Sequence, residues 1–439
     1  MKKNNFLINL IHTFGIQFSL LILNVIQSVL INRSLIPQDK GTFALIMQSL
    51  NIIVAFGQFG QPEVMFHYIT KNKKNIKKYI SNLLVIIMLT SLFSFFIINL
   101  YYKKLDYMSE LTDNQIGFFI IFMIIPFSLI NIFYQRIIQL NGDLPNYNRI
   151  VLFQKFSLVS AIMILIFIME DKISAIFYGH SISLMISSLI TIVLLINSGN
   201  LFSKPNFDLR FLKKSLFDGF KIQIGLVSTI IGTQLGVFIL ASQIDNHNAG
   251  IYSVSLGLVN MFLIIPNSIR IVFQAWFAEN KNAINDHINA TAKLFRYTLI
   301  FILIICLPMY LFGEDIIFLL YGESYVPSYT PMTILLFYLI FRTLGSCFGS
   351  YFAIEKKFWF STIAVTVALS VNIISSLYLS KLYGINGIAL SSVLCWFIWF
   401  IICCREYLKI SESDIKIIIP TIEDVKILIN SIQYKKNKS

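Results

Sequence analysis

The sequence is short of charge and of cysteine, and each shortage excludes a class of protein. Charged residues make up only 13% of the 439 residues, whereas a soluble globular chain carries about 25%. Hydrophobic residues make up 56%, and the mean hydropathy is +0.73. The five cysteines lie within or beside apolar stretches and lack the CxxC or Cys/His spacing of a metal or redox site. The composition therefore excludes a string of soluble domains and predicts one integrated membrane protein.

Motifs for ATP hydrolysis, nucleophilic catalysis and metal binding are also absent from the sequence. It contains no Gly-rich phosphate loop, no Walker lysine motif and no nucleophile elbow. The five histidines do not share the spacing of metal ligands. We therefore expect no enzymatic activity, no catalytic residue, no metal and no cofactor. The net charge of +13 indicates a surface that faces lipid headgroups and does not predict a nucleic-acid partner.

Long hydrophobic runs dominate the rest of the sequence. At about 20 apolar residues per crossing, they predict twelve transmembrane helices. We expect an all-α integral membrane protein, with about twelve transmembrane helices in two six-helix lobes around a central cavity. The predicted limits are 6–31, 41–66, 79–101, 115–140, 150–169, 173–196, 219–241, 250–273, 294–312, 331–353, 359–379 and 385–404.

The predicted domain boundaries follow from the connections between these helices. The N-terminal six-helix lobe covers 1–196 and the C-terminal six-helix lobe covers 219–405. Between them lies a cytoplasmic connection, 197–218, in which Asp208 caps an amphipathic helix that lies in the membrane interface. A cytoplasmic tail covers 406–439. Lysine and arginine concentrate at the N-terminus and in alternate loops, which predicts that both termini are cytoplasmic.

The second half of the sequence restarts like the first. Gly41-Thr42-Phe43 and Gly250-Ile251-Tyr252 each follow an apolar span and a short polar break, and they are offset by 209 residues. Such an internal repeat is typical of two-lobed carriers. The Gly-x-aromatic entry into the next helix resembles the multidrug/oligosaccharidyl-lipid/polysaccharide exporter superfamily. The similarity is strongest to the polysaccharide (O-antigen unit) flippases of the Wzx type.

Two later motifs extend this resemblance over most of the chain. The predicted external loop 313–330 contains Leu320-Tyr321-Gly322-Glu323-Ser324-Tyr325, which resembles the feature before the tenth helix of polysaccharide exporters. Asn372 followed by Leu382-Tyr383-Gly384-Ile385-Asn386-Gly387 resembles their entry into the twelfth helix. The sequence departs from many members at the middle of the seventh helix, where Thr233-Gln234 replaces an acidic residue. That departure disfavours ion coupling through a carboxylate at this position.

Polar side chains follow one side of the predicted first, second and eighth helices. At about 100° per residue, each stripe covers a limited part of its helix. We predict that the stripes line a shared polar cavity, since polar groups in a membrane face water or another helix. Hydrogen bonding between helices is the alternative role. The polar candidates are Asn24, Gln48, Asn51, Asn260 and Asn267.

Basic residues inside the predicted helices are more informative. Each costs on the order of 2.5–3.5 kcal/mol at the bilayer centre and needs a partner or water. Arg342 is near the middle of the tenth helix, and the others lie in the cytoplasmic halves of theirs. Snorkelling to headgroups is the alternative for the lysines, and a bond to a helix carbonyl or Glu63 is the alternative for Arg342. The other basic candidates are Arg136, Lys155, Lys221 and Arg270, and the possible acidic partners are Glu63 and Asp218.

This excess of buried cations favours an anionic substrate, because guanidinium groups bind pyrophosphate oxygens bidentately. The resemblance implies a flippase of the bacterial inner membrane that moves undecaprenyl-pyrophosphate-linked oligosaccharide units to the periplasmic leaflet by alternating access. Its implied partners are this lipid-linked substrate, membrane lipids and other polysaccharide-assembly membrane proteins. A drug or organic-cation antiporter of the same superfamily is the nearest alternative, and buried cations disfavour it. A membrane polysaccharide polymerase is disfavoured because the predicted external loops are short.

Overall fold

A computed structural model describes residues 3–71, 75–101, 122–141, 143–197, 208–263, 284–354 and 358–421. Within these ranges the chain is helical and contains no strand. In chain order the α-helices are α1 Lys3–Ser34, α2 Pro37–Gly57, α3 Gln61–Lys71, α4 Asn75–Tyr101, α5 Ile124–Leu140, α6 Leu144–Ile168, α7 Lys172–Asn197, α8 Leu209–Gln243, α9 Asn246–Met261, α10 Ile284–Tyr321, α11 Tyr329–Ile354 and α12 Phe358–Ser411. Short 3-10 helices cover Glu323–Ser328 and Ile415–Ile418.

The length and apolar composition of these helices suit a bilayer. Nine helical segments of the described residues are long and apolar enough to cross a membrane, and α5 is a shorter apolar helix. The last of the nine, Thr362–Ser411, contains 50 residues, more than twice the roughly 20 that one crossing needs. It changes direction at Gly384, where the backbone leaves helical geometry with φ 56° and ψ −130°. The predicted eleventh and twelfth helices are therefore the two parts of α12.

Three details of the sequence prediction are wrong. The predicted second helix is broken, since α2 ends at Gly57 and α3 begins at Gln61. The predicted external loop 313–330 is helical in its first half, because α10 continues to Tyr321. Asp208 does cap a helix by accepting from the Phe211 backbone N–H at 3.0 Å, but that helix continues unbroken to Gln243 as α8, so no helix end separates the predicted connection from the seventh span. The predicted position of its first turns in the membrane interface stays a prediction.

The chain forms two compact units, 1–253 and 254–439. In the first unit α5 is central, and it contacts α2, α3, α4, α6 and α7. Ile125, Leu129, Phe133 and Ile137 are fully buried, and their near four-residue spacing places them on one face of this helix. The lobe boundaries expected from the sequence stay a prediction.

In the second unit α11 lies between α10 and α12. Phe348 and Tyr351 on α11 pack against Tyr407 of α12, with ring centroids 4.9 and 5.3 Å apart. The buried Tyr407 hydroxyl donates to the Ile288 carbonyl at 2.8 Å. This aromatic layer joins the three helices.

The repeated glycines of the sequence meet each other in the first unit. A Cβ on Gly41 would lie 1.8 Å from the Asn246 carbonyl oxygen, and a Cβ on Gly250 would lie 1.9 Å from the Pro37 carbonyl oxygen. Pro37 and Asn246 are themselves offset by 209 residues. The contact is thus reciprocal between equivalent positions of the two repeats, at the first turns of α2 and α9. Only glycine allows backbones to approach this closely.

Candidate substrate-binding residues

Arg342 lies at the middle of α11 and is held by aromatic rings and an amide. Its guanidinium carbon is 4.9 Å from the ring centroid of Trp396 and 5.5 Å from that of Tyr338. Its Nη1 donates to Asn260 Oδ1 at 3.2 Å and to the Tyr338 hydroxyl. The same hydroxyl donates to Asn260 Oδ1 at 3.0 Å. Two predicted candidates, Arg342 and Asn260, are therefore brought together.

The charge of Arg342 is not neutralised by a carboxylate within the described residues, where its contacts are those just given. Aromatic faces stabilise a cation through their quadrupole and leave its net charge in place. The indole N–H groups of Trp396 and Trp399 are buried without a hydrogen-bond partner in the same part of the chain. The guanidinium itself is half-buried, so it is the group of this cluster that an anion can reach.

A second group of basic side chains lies in the first unit. Lys155, near the middle of α6, donates through Nζ to Gln27 Oε1 of α1. His180 of α7 is close enough to Lys155 and Lys40 to interact electrostatically with both. The Phe43 ring lies among them, 5.1 Å from Lys40 Nζ and 6.2 Å from the His180 ring. The depth in the membrane that the sequence assigns to Lys155 stays a prediction.

Arg136 pairs with the predicted acid Glu63, but on an accessible surface. The distance from Arg136 Nη2 to Glu63 Oε2 is 4.0 Å, and the two side chains are 25% and 52% exposed. Arg136 also donates to Gln139 Oε1 at 2.6 Å. Exposed ion pairs contribute about 0–1 kcal/mol, so this arrangement leaves Arg136 able to exchange partners.

Asp218, the second predicted acid, accepts a hydrogen bond from Tyr68. The distance from the Tyr68 hydroxyl to Asp218 Oδ2 is 2.6 Å. Burial, together with this bond, raises the pKa of Tyr68 from its ordinary value to about 12. The tyrosine therefore stays a neutral donor to the carboxylate at physiological pH, and Asp218 pairs with no basic candidate in the described residues.

The other predicted candidates contribute less. The Gln48 side-chain oxygen is buried without a partner among the described residues. Asn24 is half-buried and Asn51 is exposed. Lys221 lies on α8, but its side chain falls outside the described residues, as do Asn267 and Arg270 entirely.

Sequence reasoning missed Tyr338 and Trp396. Tyr338 precedes Arg342 by four residues and so shares its helix face, which is a signal that could have found it. Trp396 comes from α12, 54 residues after Arg342, and no local pattern connects the two.

Similarity to known proteins agrees with this fold. The lipid II flippase MurJ in an inward closed conformation superposes with a TM-score of 0.67 at 17% identity, covering 92% of this chain and 90% of that one. A multidrug resistance MATE family transporter of the MOP superfamily, inward-facing, gives 0.70 at 12% identity, covering 92% and 98%. A MOP superfamily transporter from Pyrococcus furiosus, whose description reports a binding pocket of reversed polarity, gives 0.67 at 12%, covering 92% and 94%. These likenesses show a shared fold and confirm the predicted fold class.

Sequence similarity defines the family. An uncharacterized membrane protein of Methanocaldococcus jannaschii is 24% identical over 422 residues, covering 87% of this chain and 81% of that protein. The family described as "Polysaccharide biosynthesis protein" matches residues 6–279, which is more than half of the chain. The chain therefore belongs to the polysaccharide biosynthesis protein family.

Proposed function

We propose that this protein is a flippase that moves undecaprenyl-pyrophosphate-linked oligosaccharide units from the cytoplasmic to the periplasmic leaflet by alternating access. The observation that carries the proposal is the state of Arg342. Its guanidinium is fixed by Trp396, Tyr338 and Asn260 and keeps its charge. A guanidinium that is fixed in place and meets no carboxylate among the described residues suits a phosphate-rich ligand, because phosphate oxygens accept its donors in parallel.

Three further observations support an anionic lipid substrate. Lys155 and Lys40 form a second basic group around His180 in the first unit. Family membership connects the chain to polysaccharide biosynthesis, and one protein of the same fold is described as a lipid II flippase. The two predicted acids lie beside other side chains, since Glu63 is 4.0 Å from Arg136 on an accessible surface and Asp218 accepts from Tyr68. An organic-cation antiporter would need accessible buried carboxylates, so the drug-transport alternative is not favoured.

The proposal places the protein in the bacterial inner membrane with both termini in the cytoplasm. Its substrate partner is the lipid-linked oligosaccharide, and other polysaccharide-assembly membrane proteins are its proposed neighbours. Transport changes the leaflet of the substrate and breaks no bond, so no catalytic residue is proposed.

Deletion of the gene tests the proposal. In a strain with no second flippase, loss of the protein should abolish one surface polysaccharide while lipid-linked units accumulate on the cytoplasmic leaflet. Surface polymer is measured by gel or lectin binding, and lipid-linked units by mass spectrometry of extracted lipid. Unchanged surface polymer, with no accumulation of lipid-linked units, would reject the assignment.

A further inference from the structure

The break between α2 and α3 has an unusual backbone. Phe59 and Gly60 have φ values of 46° and 63°, and a bulky residue such as phenylalanine rarely adopts a positive φ. In an uninterrupted helix the Phe59 N–H would bond to the Ala55 carbonyl and the Gly60 N–H to the Phe56 carbonyl. At the break the Phe59 N–H instead bonds to the Phe56 carbonyl at 3.3 Å. The helix therefore lacks these two internal bonds.

The side chain of Gln223, on α8, takes the place of the missing bonds. Its Oε1 accepts from the Gly60 N–H at 2.7 Å, and its Nε2 donates to the Ala55 and Phe56 carbonyls at 2.6 and 3.3 Å. Gln223 is buried. One carboxamide thus contacts the same backbone groups that an unbroken helix would pair internally.

Two further residues of α8, Ser215 and Gly219, contact the chain at the break between α2 and α3. Gln61 Nε2 donates to the Ser215 carbonyl at 3.1 Å. A Cβ on Gly60 would lie 2.3 Å from the Gly219 carbonyl oxygen, and a Cβ on Gly219 would lie 2.1 Å from the Phe59 carbonyl oxygen. Ser215, Gly219 and Gln223 recur every four residues, so they form one stripe along α8.

We propose that the α2–α3 break is a two-state hinge controlled by Gln223. In the docked state the Gln223 carboxamide of α8 binds the backbone between α2 and α3, and these two helices are separate. When α8 withdraws, the Gly60 N–H and Phe56 carbonyl bond to each other, and α2 and α3 become one helix. The Gly60 N–H and the Ala55 and Phe56 carbonyls have partners in both states. Pro62 lacks an N–H for the Gln58 carbonyl, so the joined helix keeps a kink at this proline. The joined state also removes the positive φ at Phe59, which offsets the loss of the docking contacts.

The link between this hinge and transport rests on the proposed function, because alternating access needs an element with two discrete arrangements. The hinge itself is a property of residues 55–61 and α8, and it can be measured without substrate. Withdrawal of α8 from α2 is the movement that it would permit.

Spin labels on either side of the break measure the hinge directly. Ile36 and Phe66 are 60% and 52% exposed, and each is replaced by a labelled cysteine in a chain whose five native cysteines are substituted. In an unbroken helix their Cα atoms would be roughly 45 Å apart, from 1.5 Å per residue, and a break shortens this distance. Double electron–electron resonance on the purified protein in lipid nanodiscs reports the distance distribution.

Two independent variants should shift the distribution the same way. Gln223→Leu removes the carboxamide but keeps a side chain of similar volume, so the broken state loses the hydrogen bonds of Gln223 to the α2–α3 backbone. Gly60→Ala disfavours the positive φ at residue 60 and adds a methyl group that prevents the close contact with Gly219. Alanine also favours helical backbone at this position. Both should move the distribution to the longer distance. Gln234→Leu, the same substitution on the same helix away from the break, is the matched control and should leave it unchanged.

The outcomes separate the hinge from the flippase assignment. The hinge is upheld if the parent shows both distances and the two variants populate mainly the longer one. A single short distance in the parent and in every variant that can be purified overturns it. A lengthened distance in the variants, combined with a deletion strain that keeps its surface polymer, upholds the hinge and rejects the flippase.

Discussion

Arg342 is held by aromatic rings and an amide, with no carboxylate partner in the part of the chain that the structure describes. A carboxylate partner would stabilise the guanidinium strongly and would also compete with an anionic ligand. The faces of Trp396 and Tyr338, with centroids 4.9 and 5.5 Å away, stabilise it by about 0.5–2 kcal/mol each. Asn260 sets its orientation through Nη1. Within the described residues these bonds use only Nη1 of the guanidinium.

Substitutions at Arg342 separate a charge-based role from a structural one. We expect Arg342→Ala to abolish transport at normal protein abundance, because the anion loses its partner. Arg342→Lys should keep partial activity, since it retains the charge but loses the planar fork. Surface polysaccharide is measured against protein level for both. Full activity of a stably expressed Arg342→Gln variant would contradict a role for the charge.

Trp396 provides a second test of the same site. Trp396→Phe keeps an aromatic face over Arg342 and should retain more transport than Trp396→Leu, which keeps apolar volume only. The cation–π contribution predicts about a two- to thirtyfold difference between them. The comparison is made at matched membrane abundance. Equal transport by the two variants would show that the ring serves packing alone.

At the scale of elements, the backbones of the first turns of α2 and α9 are in direct contact. No side chain separates Gly41 from the Asn246 carbonyl or Gly250 from the Pro37 carbonyl. Asn246 Nδ2 adds a donor contact to the Thr42 hydroxyl at 3.3 Å. The sequence repeat therefore corresponds to a real contact between equivalent turns.

Alanine at these glycines should destabilise the protein. Gly41→Ala and Gly250→Ala each place a methyl group inside the contact distance of a carbonyl oxygen, which costs about 1–3 kcal/mol. Gly257→Ala on α9 is the control, because its Cβ would meet no atom within 4 Å. Thermal unfolding of the purified variants measures the effect. Because both glycines form one contact, the double variant should lose less than the sum of the single ones.

A melting temperature for Gly41→Ala equal to that of Gly257→Ala would contradict the close contact. An alanine in place of a helical glycine otherwise stabilises a helix by up to about 1 kcal/mol. We therefore expect Gly41→Ala to lower the melting temperature and Gly257→Ala to raise it.

At the scale of the whole molecule, the positive charges predict the topology. Asn246 and Ser324 should face the periplasm, whereas Lys74, Lys281 and Ser439 should face the cytoplasm. Single cysteines at these positions, in a background without native cysteines, are labelled with an impermeant maleimide in intact cells. Labelling is expected at the first two only. A cytoplasmic Asn246 would contradict the pairing of the two repeats.

The sequence by itself determined the helices and the repeat. Apolar runs of membrane-spanning length are local features, so the all-helical fold and most helix positions could be predicted from them. Gly41 and Gly250 were recognisable because a glycine before an aromatic residue recurs at a fixed offset of 209 residues. Arg342 was recognisable because one cation in a long apolar run is conspicuous.

Only the tertiary structure decided how these parts are used. Gly57, Gly60 and Pro62 are local signals of a helix break, but the partner of the Gly60 N–H at the break is Gln223, 163 residues away. Likewise, Trp396 meets Arg342 only because α12 packs on α11. Local propensity describes what each segment can form alone. The partner that satisfies a backbone group or holds a charge comes from another segment, and only packing brings the two together.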